Sequence, residues 1–241
     1  MLGGDHTATL SVVEVLAPAI PGLRVLQLDA HPDLREEFLG ERYNYASAMA
    51  RVMDAVAPER VYQVGMRSGA REEYQGKAPH LFPAHAVHPV EAVRSLVPEL
   101  ARHPLYVTID VDVLDPSEAP GTGAPEPCGI TATELVEIVR LLEPCHIVGT
   151  DLMEVAHAFD PSGRTGITAS WILREAILTW WAKVNLVGQM TVETPHPMAL
   201  TRITHGQHGS AMGKVTAETP HPMALTRITH GQHGSAMLRI E

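Results

Sequence analysis

Six side chains able to bind a metal fall into three short motifs: His6 in Gly-Gly-Asp-His, Asp29, His31 and Asp33 in Asp-Ala-His-Pro-Asp, and Asp110 and Asp112 in Asp-Val-Asp. Side chains alternate faces on an extended segment, so Asp29, His31 and Asp33 are expected to point one way while Ala30 and Pro32 point the other. The same arithmetic puts Asp110 and Asp112 together. Each motif alone is weak, because an Asp-x-Asp is common on solvated loops. Four carboxylates in one place, however, would repel and raise one another's pKa unless cations neutralised them, and four negative charges match two divalent ions. Carboxylate and imidazole donors without thiolate suit manganese better than structural zinc. Two such ions ~3.5–4 Å apart activate water for attack on an electrophilic carbon, so the expected reaction class is hydrolysis.

The elements that must position these residues are legible as alternating apolar runs and amphipathic stretches over residues 1 to about 183, the pattern of a parallel sheet covered by helices. The fold class expected is α/β, a three-layer sheet. Strands are predicted at Val25–Leu28, Val61–Val64, Ala84–Val87, Leu105–Ile109 and Ile147–Gly149. The aspartate motifs directly follow two of them, at the carboxyl ends where open parallel sheets bind ligands. Ala46, Met49, Ala50 and Met53 recur at helical spacing, Thr131 with Glu134 makes a capping box, and Thr168–Lys183 is expected to be a last helix.

From Gly188 the character changes. Gly188–Met212 and Gly213–Met237 are one 25-residue unit written twice, differing at three positions. Its prolines and glycines interrupt any helix, and two copies fall short of a solenoid. His205, Gln207 and His208, with their copies His230, Gln232 and His233, could form a His-rich metal patch. A flexible tail over 184–241, without assigned function, outweighs that alternative on composition.

With 241 residues, 45% of them hydrophobic, the chain can bury a full core. Its net charge of −10, with no cluster of Lys or Arg, argues against nucleic acid and anionic membranes and suits a cationic substrate. Cys128 and Cys145 form neither a disulfide framework nor a thiolate zinc site, which fits a reducing cytoplasm. No apolar run reaches the ~18 residues of a membrane span.

Five motifs in order, GGDH, DAHPDLREEF, VGMRSGAREEY, TIDVDVLDPSEAPGTGAPEP and DLMEVAHAFDPSGRT, closely resemble the ureohydrolase family of arginases and agmatinases, most of all the agmatinases. The resemblance covers roughly residues 3 to 180 and implies two Mn2+ ions. One would be held by His6, Asp29, Asp33 and Asp110, the other by Asp29, His31, Asp110 and Asp112, with Asp29 and Asp110 bridging. It implies hydrolysis of a small guanidino substrate, agmatine first, to putrescine and urea in polyamine biosynthesis, by a homo-oligomer. Glu154 would bind the substrate guanidinium, since a carboxylate accepts two parallel hydrogen bonds from that fork, and Glu154 and Asp33 are the expected catalytic residues. Asp115 and Asp151 look like caps or groups that orient ligands, and Arg67 stays unassigned between a substrate contact and an ion pair.

The chain departs from the family pattern at several points. Tyr45 stands where a proton-shuttling histidine is expected, and a phenol titrating near 10 is a poor shuttle near neutrality. Cys128 replaces a glycine, His157 a proline, with His157 either a substitute shuttle or a surface side chain. Relatives carry roughly a hundred residues and three strands ahead of GGDH, so an N-terminally truncated domain is expected, with five contiguous strands, an exposed sheet edge and His6 on a frayed terminus that weakens the first metal site. The alternative function is a catalytically inactive fragment that at most binds metal.

Overall fold

The computed structural model describes residues 2–76 and 78–182. Beyond them it describes only two antiparallel backbone pairs, Val184–Asn185 with Gln189–Met190 and Thr229–His230 with Ala236–Met237. The chain divides into two units, Met1–His196 and Pro197–Glu241. The expected boundary near residue 183 and the duplicated repeat fall almost wholly outside the described residues.

Five parallel strands, β1 (Arg24–Leu28), β2 (Val61–Val64), β3 (His80–Phe82), β4 (Pro104–Asp110) and β5 (His146–Met153), form one sheet in the order β3-β2-β1-β4-β5. Near-continuous apolar strands require cover on both faces. Leu26, Leu28, Val64, Val107 and Ile109 meet Val93, Leu135, Ile138 and Ile172 on one face, from helices α3 (Pro89–Leu100), α4 (Ala132–Leu141) and α5 (Arg164–Trp180). Val25, Val61 and Tyr106 point the other way, against Leu10 and Val13 of α1 (Ala8–Ala19) and Met49 and Val52 of α2 (Ala48–Val56). This is the three-layer α/β architecture expected.

The order of strands explains where a site can form. From β1 the chain proceeds outward through β2 to β3, then returns to place β4 on the opposite side of β1. The crossover connections therefore diverge between β1 and β4, leaving a crevice at their carboxyl ends. Asp29 follows β1 and Asp110 closes β4, so the two shared carboxylates occupy that crevice.

Several boundaries differ from the sequence expectation. The third strand is His80–Phe82; Ala84–Val87 is instead a turn, in which Ala86 N and Val87 N both donate to the Pro83 carbonyl. Helix α5 begins at Arg164, four residues before the expected Thr168, because Asp160 accepts hydrogen bonds from Ser162 N and Thr165 N, and Gly163 turns the chain at φ +70°. The capping box of α4 is present, with Glu134 N donating to Thr131 Oγ1 and Thr131 N to Glu134 Oε2.

His6 is not on a frayed end. Leu2 forms a parallel bridge with Leu152, Gly3 N donates to the Leu152 carbonyl, and Glu154 N donates to the Gly4 carbonyl at 2.7 Å. The segment thus lies along the carboxyl end of β5, on the edge expected to be bare, and delivers His6 fully buried into the first turn before α1.

Candidate metal centre

All six predicted ligands converge. His6 Nδ1 lies 3.2 Å from Asp29 Oδ2, 3.4 Å from Asp33 Oδ2 and 3.1 Å from Asp110 Oδ2. His31 Nδ1 lies 2.9 Å from Asp112 Oδ2 and 3.7 Å from Asp29 Oδ1. Two overlapping groups capable of holding a metal result, His6–Asp29–Asp110 and Asp29–His31–Asp112, sharing Asp29. Asp110 joins them, since its Oδ1 accepts the Asp112 backbone N–H at 2.8 Å.

The route to convergence is not the simple alternation expected. β1 ends at Leu28, and the ligand loop turns Asp33 into the left-handed region, φ +54°. The second pair is brought together by a 3-10 turn, Val111–Val113, capped by Asp110 itself. Strand alternation delivers only Asp29 and Asp110; tight turns place the others.

These residues fit a pair of cations. Nδ1 of His6 is buried and has no hydrogen-bond partner among the described residues, although three carboxylates surround it. Donor–donor edges near 3 Å are the size expected of an octahedron of radius roughly 2.1 Å. Burial is the largest influence on every group. It pushes Asp33 up to about 8, with the Asp29 charge adding, and raises Asp110 and Asp112 above the usual carboxylate range, again with neighbouring aspartates adding. Burial would raise Asp29 too, but the imidazoles of His31 and His6 beside it hold it well below. On the imidazoles burial works downward and the carboxylates outweigh it, taking His31 up to about 11 and His6 well above its ordinary value. A cation-free centre therefore balances its charge with protons; divalent ions would do so without them.

The cluster forms the floor of a cleft of about 620 Å³ whose walls include Arg35, Phe38, Tyr45, Glu154 and Phe159. Glu154 directly follows β5 in a left-handed conformation, φ +63°, and its Oε1 accepts the His6 backbone N–H at 2.7 Å. Burial raises its carboxyl. Tyr45 is 46% exposed on the wall, edge-on to Phe38 with ring centroids 5.7 Å apart. His157 is exposed in a short 3-10 turn and does not line the cleft.

Among the described residues Arg67 neither lines the cleft nor reaches a carboxylate at hydrogen-bond distance. Its guanidinium donates to six backbone carbonyls: Pro127 through Nε, Gly65 and Val113 through Nη1, and Asp112 (2.6 Å), Leu114 and Glu126 through Nη2. It thereby ties the Asp112 loop to the Glu126–Pro127 loop. Asp115 caps the same region, accepting from Ser117 N, Ser117 Oγ and Cys128 N. Cys128 holds a positive φ, +65°, the region that glycine enters freely.

Two glutamines escaped the sequence reading. Gln27 Nε2 donates to Asp29 Oδ2 at 2.6 Å and to the His31 carbonyl, while Gln63 Nε2 donates to Gln27 Oε1 and the Pro32 carbonyl, both at 2.6 Å. The signal was present: each is the one amide among the buried side chains of a largely apolar strand, and the two are register partners.

A family model described as the arginase family matches residues 1–179. An agmatinase of Bacillus cereus is 39% identical over 181 residues, covering 74% of this chain and 62% of that protein. The crystal structure of a putative agmatinase from Clostridium difficile superposes with a TM-score of 0.70 at 34% identity, covering 74% of this chain and 66% of that one. Proclavaminate amidino hydrolase from Streptomyces clavuligerus gives 0.68 at 31% identity, covering 75% and 62%. The chain thus spans under two thirds of the length of the first of these relatives. The matched span contains β1 to β5, every member of the buried cluster and Glu154; the chain belongs to the arginase family.

Proposed function

We propose that the protein is a manganese-dependent hydrolase of guanidino compounds, acting on C–N bonds, with agmatine giving putrescine and urea as its reaction. The observation that carries this reading is the set of four buried carboxylates, buried His6 and half-buried His31 around an unpartnered imidazole nitrogen, at the floor of a cleft that also contains Glu154. In this reading residues 1–183 are the ureohydrolase domain and the duplicated segment 184–241 stands outside the chemistry.

His6, Asp29, Asp33 and Asp110 would hold one ion and Asp29, His31, Asp110 and Asp112 the other. When bound, such a pair supplies Lewis acidity and a deprotonated water near neutral pH. Glu154 binds the guanidinium: with Oε1 committed to the His6 N–H, Oε2 flanks Gly123 at the cleft wall and accepts from the substrate. Fixing the planar fork there orients the guanidino carbon over the carboxylate floor, which removes much of the entropic part of the barrier. Asp33 Oδ2 faces His6 Nδ1 and would hold the ion, which leaves Oδ1, on the cleft floor, to accept a proton as water adds to that carbon. The scissile C–N bond then breaks and the amine leaves with a proton. Tyr45 occupies the wall position from which that proton would be delivered.

The test is metal analysis together with urea release from agmatine, arginine and 4-guanidinobutyrate under saturating manganese. About two equivalents of manganese and preferential release from agmatine are expected, both lost in Asp110→Asn. Urea from none of the three compounds, with two manganese ions in place, would overturn the assignment and support a metal-binding fragment.

A further inference from the structure

Behind His6, away from the carboxylates, a line of side chains runs through three elements. His6 Nε2 lies 2.9 Å from Thr108 Oγ1, and Thr108 Oγ1 lies 3.3 Å from Thr9 Oγ1. Thr9 Oγ1 donates to Asp151 Oδ2 at 2.9 Å, and the Tyr106 hydroxyl donates to the same oxygen at 2.7 Å. Thr9, Thr108 and Asp151 are fully buried and Tyr106 is 1% exposed. The arrangement follows from register: Thr108 on β4 pairs with Asp151 on β5, while Tyr106 pairs with Gly149. A Cβ at Gly149 would come within 2.8 Å of the Tyr106 ring, so glycine there makes room for the ring whose hydroxyl reaches the carboxylate.

Counting hydrogens gives the line a direction. A carboxylate accepts only, and a hydroxyl has one hydrogen to donate. Thr9 gives its hydrogen to Asp151, so it accepts from Thr108; Thr108 has then given its own, so it accepts from His6. The line therefore fixes a hydrogen on Nε2, which leaves Nδ1 as the nitrogen whose lone pair a cation takes when it displaces the proton there. Nδ1 is the atom that faces Asp29, Asp33 and Asp110.

The geometry points to Thr108, Thr9, Asp151 and Tyr106 as positioning residues that hold His6 in its metal-ligating tautomer, so that one cation position depends on buried hydroxyls that touch no ligand oxygen. This rests on the two-metal reading above. The other position is served by His31, whose Nδ1 stands against Asp112 and Asp29 and is outside the line. Polar partners behind ligating imidazoles are typically worth 10–100-fold in metal affinity. Only one of the two positions is expected to feel that loss.

The experiment is manganese titration of the full chain, wild type against Thr108→Val and Thr108→Ser, with thermal unfolding of each metal-free protein. Wild type should bind two ions. Thr108→Val, matched in volume but lacking the acceptor, should keep one ion at wild-type affinity and bind the other about 10–100-fold more weakly; Thr108→Ser should restore both. If Thr108→Val does not fold, Thr9→Val breaks the line one link further on and should give the same split. Two unchanged affinities in a valine variant, or equal weakening of both, overturn the proposal. Wild type binding fewer than two ions instead sinks the two-metal reading, and the proposal with it.

Discussion

Replacing Tyr45 by histidine should raise turnover, and its size can be bounded. Tyr45 stands in the 3-10 turn Tyr45–Ser47, on the cleft wall and edge-on to Phe38. An imidazole titrates near 6.5 and a phenol near 10, so only the former exchanges protons readily at neutral pH. A positioned general acid contributes ~10²–10⁴-fold, equivalent to about 2.7–5.5 kcal/mol off the barrier. Against that stands the edge-on packing with Phe38, worth about 0.5–1.5 kcal/mol, which the smaller ring gives up in part. Even with the smallest gain, and with all of that packing energy forfeited at the barrier, about 1.2 kcal/mol remains, close to a tenfold increase. Steady-state urea release from agmatine under saturating manganese, with kcat and KM separated across pH 6–9, measures it. The gain should lie in kcat and fall away as pH rises through the imidazole's titration, a new basic limb. An unchanged kcat in a Tyr45→His protein holding two manganese ions would refute a proton path through this position.

Three further outcomes follow from the same structure. Cys128 holds φ +65°, where an L-residue costs about 1–2 kcal/mol and glycine's greater unfolded-state freedom returns about 0.5–1 of it; Cys128→Gly should therefore stabilise the chain by about 0.5–1 kcal/mol in denaturant unfolding, and a lowered midpoint contradicts the strain. Arg67→Lys replaces a flat fork reaching six carbonyls by a single point charge with three donors. Five N–H groups against three means the loss of at least two hydrogen bonds at about 1 kcal/mol each, a destabilisation of about 2 kcal/mol read by the same unfolding assay. Finally, cation binding should weaken on acidification. Burial and the Asp29 charge raise Asp33 to about 8, so below that pH the cation-free centre holds a proton there that a metal must displace. Affinity should fall by up to about tenfold per pH unit for each proton released; a pH-independent manganese isotherm between 6 and 8 would exclude the coupling.

The ligand set was legible because its chemistry is unusual in sequence: carboxylates and imidazoles directly after apolar runs, where a parallel sheet opens. Glu154 and the unusual residue at Cys128 were readable through the resemblance, whereas the positive φ at Cys128 is a finding of the structure. What failed did so for local reasons. Ala84–Val87 looks like a strand by composition, yet the Pro83 carbonyl collects two successive N–H groups and closes a turn, while the true strand is only three residues long. The placement of Asp33 depends on a left-handed residue, which alternation arithmetic cannot produce. Arg67 had no readable role, because its partners are carbonyls, present at every position and meaningful only once folded. Threonines at 9 and 108 carry no signal either, since a hydroxyl in an apolar stretch is ordinary until an imidazole is found beside it.

The hydrogen bond from the His6 N–H to Glu154 joins residues 148 apart in the chain. Closing so long a loop costs roughly 4.4 kcal/mol of chain entropy, a sum that only a finished sheet can supply. On a ribosome adding ~5–20 residues per second, the partner that seats His6 emerges roughly 7–30 s after it. His6 therefore cannot be seated until β5 and Glu154 have been made, so its side of the centre closes among the last parts of the sheet.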